Sequence, residues 1–293
     1  MPGRWIHLCL PAAALFAIGC GGGDGADPPR DRADASVLHC PAAPHALFEI
    51  YARPEIPRFN GSYDDVSWPT TVEEKVREGE CAFFGPEPPF CDRECQGDTI
   101  CATGGDCRGF PHPIAIGTVR VTGTDPELTV EPDQNNTYKA GADLPGLYGP
   151  GDELTLTADG ADGHAALSLT VRGVPPLAVE PDQLTAREHD DLVVTWTADP
   201  SSPEGTELIL HADSDHHGIE AYVECRAADD GELVIPAAVL DPLILAGESG
   251  IGNYIENAWM KRINQATTDT DLGCAAFQTS SEVSITIDTV RDD

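Results

Sequence analysis

Lysine is almost absent from this chain: Lys75, Lys139 and Lys261 are the only three in 293 residues. Lys plus Arg number 17 against 50 Asp plus Glu, a formal net charge of −33. Phosphate backbones are held by clusters of basic residues, so this deficit excludes a nucleic-acid partner. The same field repels anionic headgroups, which keeps the folded body in solvent. No apolar run reaches the ~20 residues that a bilayer-spanning helix needs. Enzyme signatures are missing as well. GESGI at 247–251 lacks the closing glycine of G-x-S-x-G, and H-E-x-x-H, a phosphate loop and a dinucleotide fingerprint are absent. The chain therefore reads as a non-enzyme without a resident cofactor.

The N-terminus supplies an address. Residues 1–19 have the parts of an export signal: Arg4, an apolar stretch from Leu8 to Ile18, and small Gly19 at the cut. Ala17-Ile18-Gly19-Cys20 resembles a bacterial lipobox, with Ala17 where leucine is usual. Cys20 is then the lipidated (palmitate-bearing) first residue of the mature protein, and Gly21 after it favours the outer membrane, on its periplasmic or cell-surface face. Residues 20–36 are rich in Gly, Asp and Pro, with too little apolar surface to order themselves. They form a flexible tether with an r.m.s. reach of about 20–25 Å.

Eight cysteines remain: Cys40, Cys81, Cys91, Cys95, Cys101, Cys107, Cys225 and Cys274. An even number in an exported chain reads as four disulfides. Six crowd into residues 37–112, where fifteen pairings are open, and the simplest division leaves Cys225 with Cys274. The close thiols of CDRECQGDTICATGGDC at 91–107 also suit Zn2+, although an oxidising compartment favours bridges.

From Ile114 onward, runs with a period of two dominate. They include Ile116–Thr122, Glu127–Val130, Glu153–Thr157, Ala166–Val171, Leu192–Thr197 and Glu207–Leu210. Ile219–Cys225, Leu233–Ile235, Ile255–Ile263 and Glu282–Asp288 follow, and His45–Ala52 is an earlier strand. Gly, Pro and Asp between such runs predict a mainly β fold. The expected order is a cysteine-rich N-terminal region (37–112), a first β unit (113–172) and an Ig-like β-sandwich (173–293). Val72–Glu80 reads as a polar stretch. Pro236–Ala246 reads as a helix that Pro242 cuts to a turn or two. LTVEPDQ at 128–134 recurs as LAVEPDQ at 177–183, which suggests two related units.

Several segments carry a family likeness: GEC at 79–81, PFCDREC at 89–95 with the cysteines to Cys107, GTVRVTG at 117–123, and DDGELVIPA at 229–237. In these the chain resembles a group of uncharacterised lipoproteins of myxobacteria and their relatives. The resemblance implies a lipidated, β-rich surface protein and brings no activity.

Two clusters could ligate a cation. His211, Asp213 and Asp215 alternate along a strand, with His216 and His217 at its end, a set suited to Zn2+. The same residues also read as a polar hairpin turning at Gly218. Asp269 and Asp271 open a D-x-D-x-G start of a Ca2+ loop, but the closing Glu is out of place because Glu282 falls after the twelfth position. The expected function is a lipid-anchored envelope protein with a binding or structural role. Its partners would be the membrane, through the lipid, and an envelope or extracellular protein or glycan. The alternatives are a Ca2+- or metal-dependent binding module and an envelope glycan hydrolase.

Overall fold

The computed structural model describes residues 40, 44–52, 58–86, 91, 95–140, 146–214, 221–246 and 254–291; residues 36–293 form one compact unit. Cys20 and the segments expected to be a signal (1–19) and a tether (20–36) lie outside the described residues, as do Asp215, His216 and His217.

The strands run β1 (Ala46–Ala52), β2 (Arg58–Tyr63), β3 (Val72–Glu78), β4 (Cys81–Pro86), β5 (Thr99–Cys101), β6 (Cys107–Gly109), β7 (Val119–Thr122), β8 (Leu128–Val130) and β9 (Tyr138–Ala140). They continue with β10 (Glu153–Ala158), β11 (Leu167–Arg172), β12 (Gln183–Arg187), β13 (Leu192–Thr195), β14 (Thr206–Asp213), β15 (Tyr222–Ala228) and β16 (Glu232–Ile235). Helix α1 (Ala237–Ala246) precedes the two longest strands, β17 (Tyr254–Asp269) and β18 (Cys274–Val290). Alternation produces them. In β11, Leu167, Leu169 and Val171 are buried while Ser168, Thr170 and Arg172 face solvent.

The protein is mainly β, built as sandwiches on one large sheet. That sheet runs β3-β4-β15-β14-β17-β18-β1-β2-β9, and β12 also joins β18. β18 pairs with β17 on one side. On the other it pairs in parallel with β1 over Ala275–Ser281, then with β12 over Thr286–Val290. The β17–β18 hairpin is thus a spine that serves two cores. Phe277 joins Phe48, Tyr138 and the sheet β11-β10-β7-β8 in one core. Met260, Ile285 and Ile287 join Leu210, Val223, the β13–β16 pair and α1 in the other.

Three expectations change. Residues 37–112 are not a region apart, because β1 and β2 extend the spine's sheet and β4 pairs with β15; among the described residues of this range, only β5–β6 stand as a separate ribbon. The stretch read as polar is edge strand β3. It buries Val72 and exposes Glu73, Glu74 and Lys75, so its pattern shows no apolar face. The bridges are Cys40–Cys274, Cys81–Cys225, Cys91–Cys101 and Cys95–Cys107, which replaces the expected Cys225–Cys274 pair. Cys81 and Cys225 are opposite residues of neighbouring strands, a pairing that long-range topology alone creates.

The heptapeptide echo is not a structural repeat. Leu128–Val130 is a full strand against β7, whereas Val179 makes only a single bridge, to Trp196. Helix α1 runs through Pro242 because Val239, Leu240, Leu243 and Ile244 are all buried. That burial offsets the lost helical hydrogen bond. Asp191 Oδ1 accepts the Ala237 amide at the helix start, at 2.8 Å.

Candidate functional site

His211 and Asp213 lie on the face of the large sheet opposite its cores, since Leu210 and Ala212 point inward. His211 Nε2 is 3.3 Å from Asp213 Oδ2, and Asn257 Nδ2 donates to Asp213 Oδ1 at 3.1 Å. The imidazole stacks on Trp259 at 5.0 Å and contacts Tyr222 at 4.9 Å, while Phe84 stacks on Tyr222 at 4.8 Å. Lys261 Nζ continues the row, 5.2 Å from the Trp259 ring and 5.1 Å from the Tyr51 ring. Phe84, Tyr222, His211, Trp259, Lys261 and Tyr51 therefore form a cross-strand ladder, each step a ring stack or a cation–π contact. Among the described residues, no third ligand converges with His211 and Asp213.

Asp269 and Asp271 sit at the tip of the spine. Asp269 faces Cys274 as the last pair of the hairpin, and the Thr270 amide donates to the Gly273 carbonyl at 2.6 Å. Gly273 has φ +145°, and a Cβ there would run into the His45 ring. A turn this tight cannot wrap a cation as a 12-residue Ca2+ loop does. Asp271 has other partners. Its Oδ2 lies 2.9 Å from His164 Nδ1, and its Oδ1 accepts the Tyr63 hydroxyl at 3.3 Å. His164 holds the Asp271 carboxyl below the usual carboxylate range. Burial, with the charge of Asp271 adding to it, pushes the Tyr63 phenol up. The trio joins the end of β2, the β10–β11 loop and the spine turn. Tyr63 is only 1% exposed, so it acts as a lock between segments and not as an accessible nucleophile.

Between the two cores a polar belt crosses the spine. Arg262, Asn264, Thr279 and Ser281 are buried on the core face, and the chain from Arg172 to Leu177 lies over them. Asn264 Oδ1 accepts the Arg172 amide at 2.9 Å, and Thr279 Oγ1 donates to the Arg172 carbonyl at 2.6 Å. Ser281 Oγ accepts the Leu177 amide at 2.9 Å. Arg262 Nη1 donates to the Pro175 and Pro176 carbonyls at 3.3 and 2.8 Å, and its Nη2 to the Thr197 carbonyl at 3.0 Å. Side chains thus satisfy the backbone of a buried crossover that has no strand partner there.

Converging carboxylates elsewhere clasp a cation. Lys261 Nζ is 3.3 Å from both Glu49 and Glu282, and Arg226 lies 3.0 Å from Glu224 and 3.8 Å from Glu207. Glycosidase chemistry needs one carboxyl group to donate a proton and the other to attack or activate water. In both sets a basic side chain sits between the carboxylates, where the glycosidic bond would have to lie. The sulfurs of Cys91, Cys95 and Cys107 lie within 4.8 Å of one another, the geometry behind the zinc reading, and all three are in disulfides.

One prominent residue escaped the sequence reading. Trp68, between β2 and β3, is 57% exposed, and Val66 beside it is 43% exposed. Only the acidic setting of DDVSWP at 64–69 hinted at a surface position.

No family model and no curated protein matches the chain. Among solved structures it is similar to the FN1–FN3 domains of chicken CNTN1, at 11% identity and a TM-score of 0.20, covering 76% of this chain and 67% of that one. It is also similar to a 1.5-MDa bacterial ice-binding adhesin, at 13% identity and a TM-score of 0.20, covering 85% and 66%. The chain spans about two thirds of the length of each. A TM-score of 0.20 is too low for either to bear on what this chain does.

Proposed function

We propose that this chain is a lipid-anchored envelope protein with a binding or structural role, held at the outer membrane through Cys20. The observation that carries the reading is the Cys40–Cys274 bridge, which spans 234 residues of sequence. Cys40 lies four residues past the end of the expected tether, and Cys274 opens β18, the strand that serves both cores. A pull on the lipid would therefore enter the body at its spine. The grouped acids and histidines described above are engaged with one another, with lysine or arginine, or with aromatic rings, which suits a presented scaffold better than a catalyst.

The test is metabolic labelling with a clickable palmitate analogue. The full chain should carry label and sediment with outer membranes, and Cys20→Ala should lose the label and become soluble. An unlabelled, soluble wild-type protein would overturn the anchored reading. Protease shaving of intact cells then decides the face: release of the body places it outside, and protection places it in the periplasm.

A further inference from the structure

We propose that Trp68 anchors a docking surface for a lysine- or arginine-bearing segment of a partner protein. The inference rests on the binding role proposed above and names the class of partner.

The surface starts from a pinned loop. Asp64 bridges to Pro113, and the Ile114 amide donates to the Tyr63 carbonyl at 2.8 Å. The Asp65 amide donates to the His112 carbonyl at 3.1 Å, and Asp65 Oδ1 accepts the His112 amide at 2.9 Å. At the other end, the Thr70 carbonyl accepts the Thr103 amide at 2.8 Å. Between these pins Val66 and Trp68 stand out into solvent, two residues apart. Asp64, at the start of this loop, is only 5% exposed, so the chain enters the exposed stretch from a buried anchor. An exposed tryptophan on a loop pinned at both ends presents its ring with little backbone entropy left to lose on binding.

The chemistry of the occupant follows from charge. A tryptophan face attracts cations. Among the described residues, the cation found over aromatic rings is Lys261, and its rings are Tyr51 and Trp259. Four basic groups of the flanking segments are already paired with acids: Arg108 with Asp106, His112 with Asp98, Lys75 with Glu73 and Arg77 with Glu74. With 50 acidic residues against 17 basic ones, the chain draws a cationic segment inward and turns away anionic lipid and other copies of itself. A neutral glycan could stack on the ring but would not respond to that field.

The test uses the full chain in detergent, titrated with a short peptide of alternating lysine and glycine, its arginine counterpart and a glutamate control. Both cationic peptides should bind, and the glutamate control should not. Trp68→Ala should weaken binding by roughly tenfold or more, Trp68→Phe should restore most of it, and added salt should weaken it further. Because the side chain is exposed, both variants should keep the wild-type circular dichroism spectrum and melting temperature. Equal binding by wild type and Trp68→Ala would overturn the proposal. So would binding only to neutral glycan fragments, only to anionic vesicles, or only to a second copy. The lipid-labelling experiment does not involve Trp68, so failure here leaves the anchored reading to its own result.

Discussion

Arg262 Nη2 donates to Asp229 Oδ1 at 2.9 Å with the arginine side chain 0% and the aspartate 5% exposed. Trp196 Nε1 donates to the same oxygen at 2.8 Å, and Ser202 Oγ donates to Oδ2. The pair thus ties β17, the β15–β16 turn and the chain after β13 to the crossover above the spine. Arg262→Met keeps the stem but leaves Asp229 charged and buried, and should cost about 3–5 kcal/mol. Arg262→Met with Asp229→Asn should cost less than the sum of the two single changes. Urea melts of the four proteins check this; additive losses would show that the contact is not energetically coupled.

How much of this was legible follows the burial pattern. Strands such as β11, with one apolar face and one polar face, show in the sequence directly. Of the spine, the sequence pattern reveals only 255–263 and 282–288, short of β17 and β18 at both ends. Arg262, Asn264, Thr279 and Ser281 are polar yet buried and break the alternation where the crossover needs their hydrogen bonds, and Ser280 is buried beside Glu49. Edge strand β3 was hidden for the opposite reason, exposure on both faces. Disulfide partners 144 and 234 residues apart depend on sheet order, which local pattern does not encode. Asp271 stands out in the sequence as part of a Ca2+-loop start, whereas the side chain it meets in the fold, His164, lies 107 residues away.

The His164–Asp271 contact gives a pH signature. The Asp271 carboxyl is held low by His164, so over the acid range the folded state binds fewer protons than the unfolded chain. Its stabilising effect is present above the ordinary carboxylate pKa of about 3.9 and is lost as pH falls through the lowered value. His164→Ala should move the Asp271 midpoint up toward the ordinary range in a side-chain carboxyl NMR titration. An unmoved midpoint would show that the lowering has another source.

Pro242 offers a gain of stability. It sits inside α1, where its ring removes one amide donor, and it is only partly buried. Pro242→Ala should restore a helical hydrogen bond. The helix-propensity gain of up to about 3 kcal/mol is offset by about 0.4–1 kcal/mol from a freer unfolded chain. A net gain of about 2 kcal/mol should appear as a higher urea midpoint with an unchanged slope. A lower midpoint would mean that the proline ring fills a gap beside the core that alanine leaves open.

Stretching the chain from its two ends tests the bridge that joins Cys40 to the spine. With Cys40–Cys274 closed, tension passes from Cys40 straight into β18 and bypasses everything between the two cysteines. Only the segment after Cys274 can then extend, which adds about 7 nm of chain at roughly 3.5 Å per residue. Cys40→Ser opens that shortcut and moves the load onto Cys81–Cys225, which still shields its own loop. Under the same pull, roughly 30 nm more should pay out, from the stretches flanking that second bridge. Single-molecule force spectroscopy reads both lengths. Equal lengths for wild type and Cys40→Ser would mean that the bridge does not form in the native protein. The same connectivity sets the effect of reductant: loss of Cys40–Cys274 and Cys81–Cys225 should loosen the N-terminal strands and the spine together, because β1 and β4 are paired into the sheet that the spine organises.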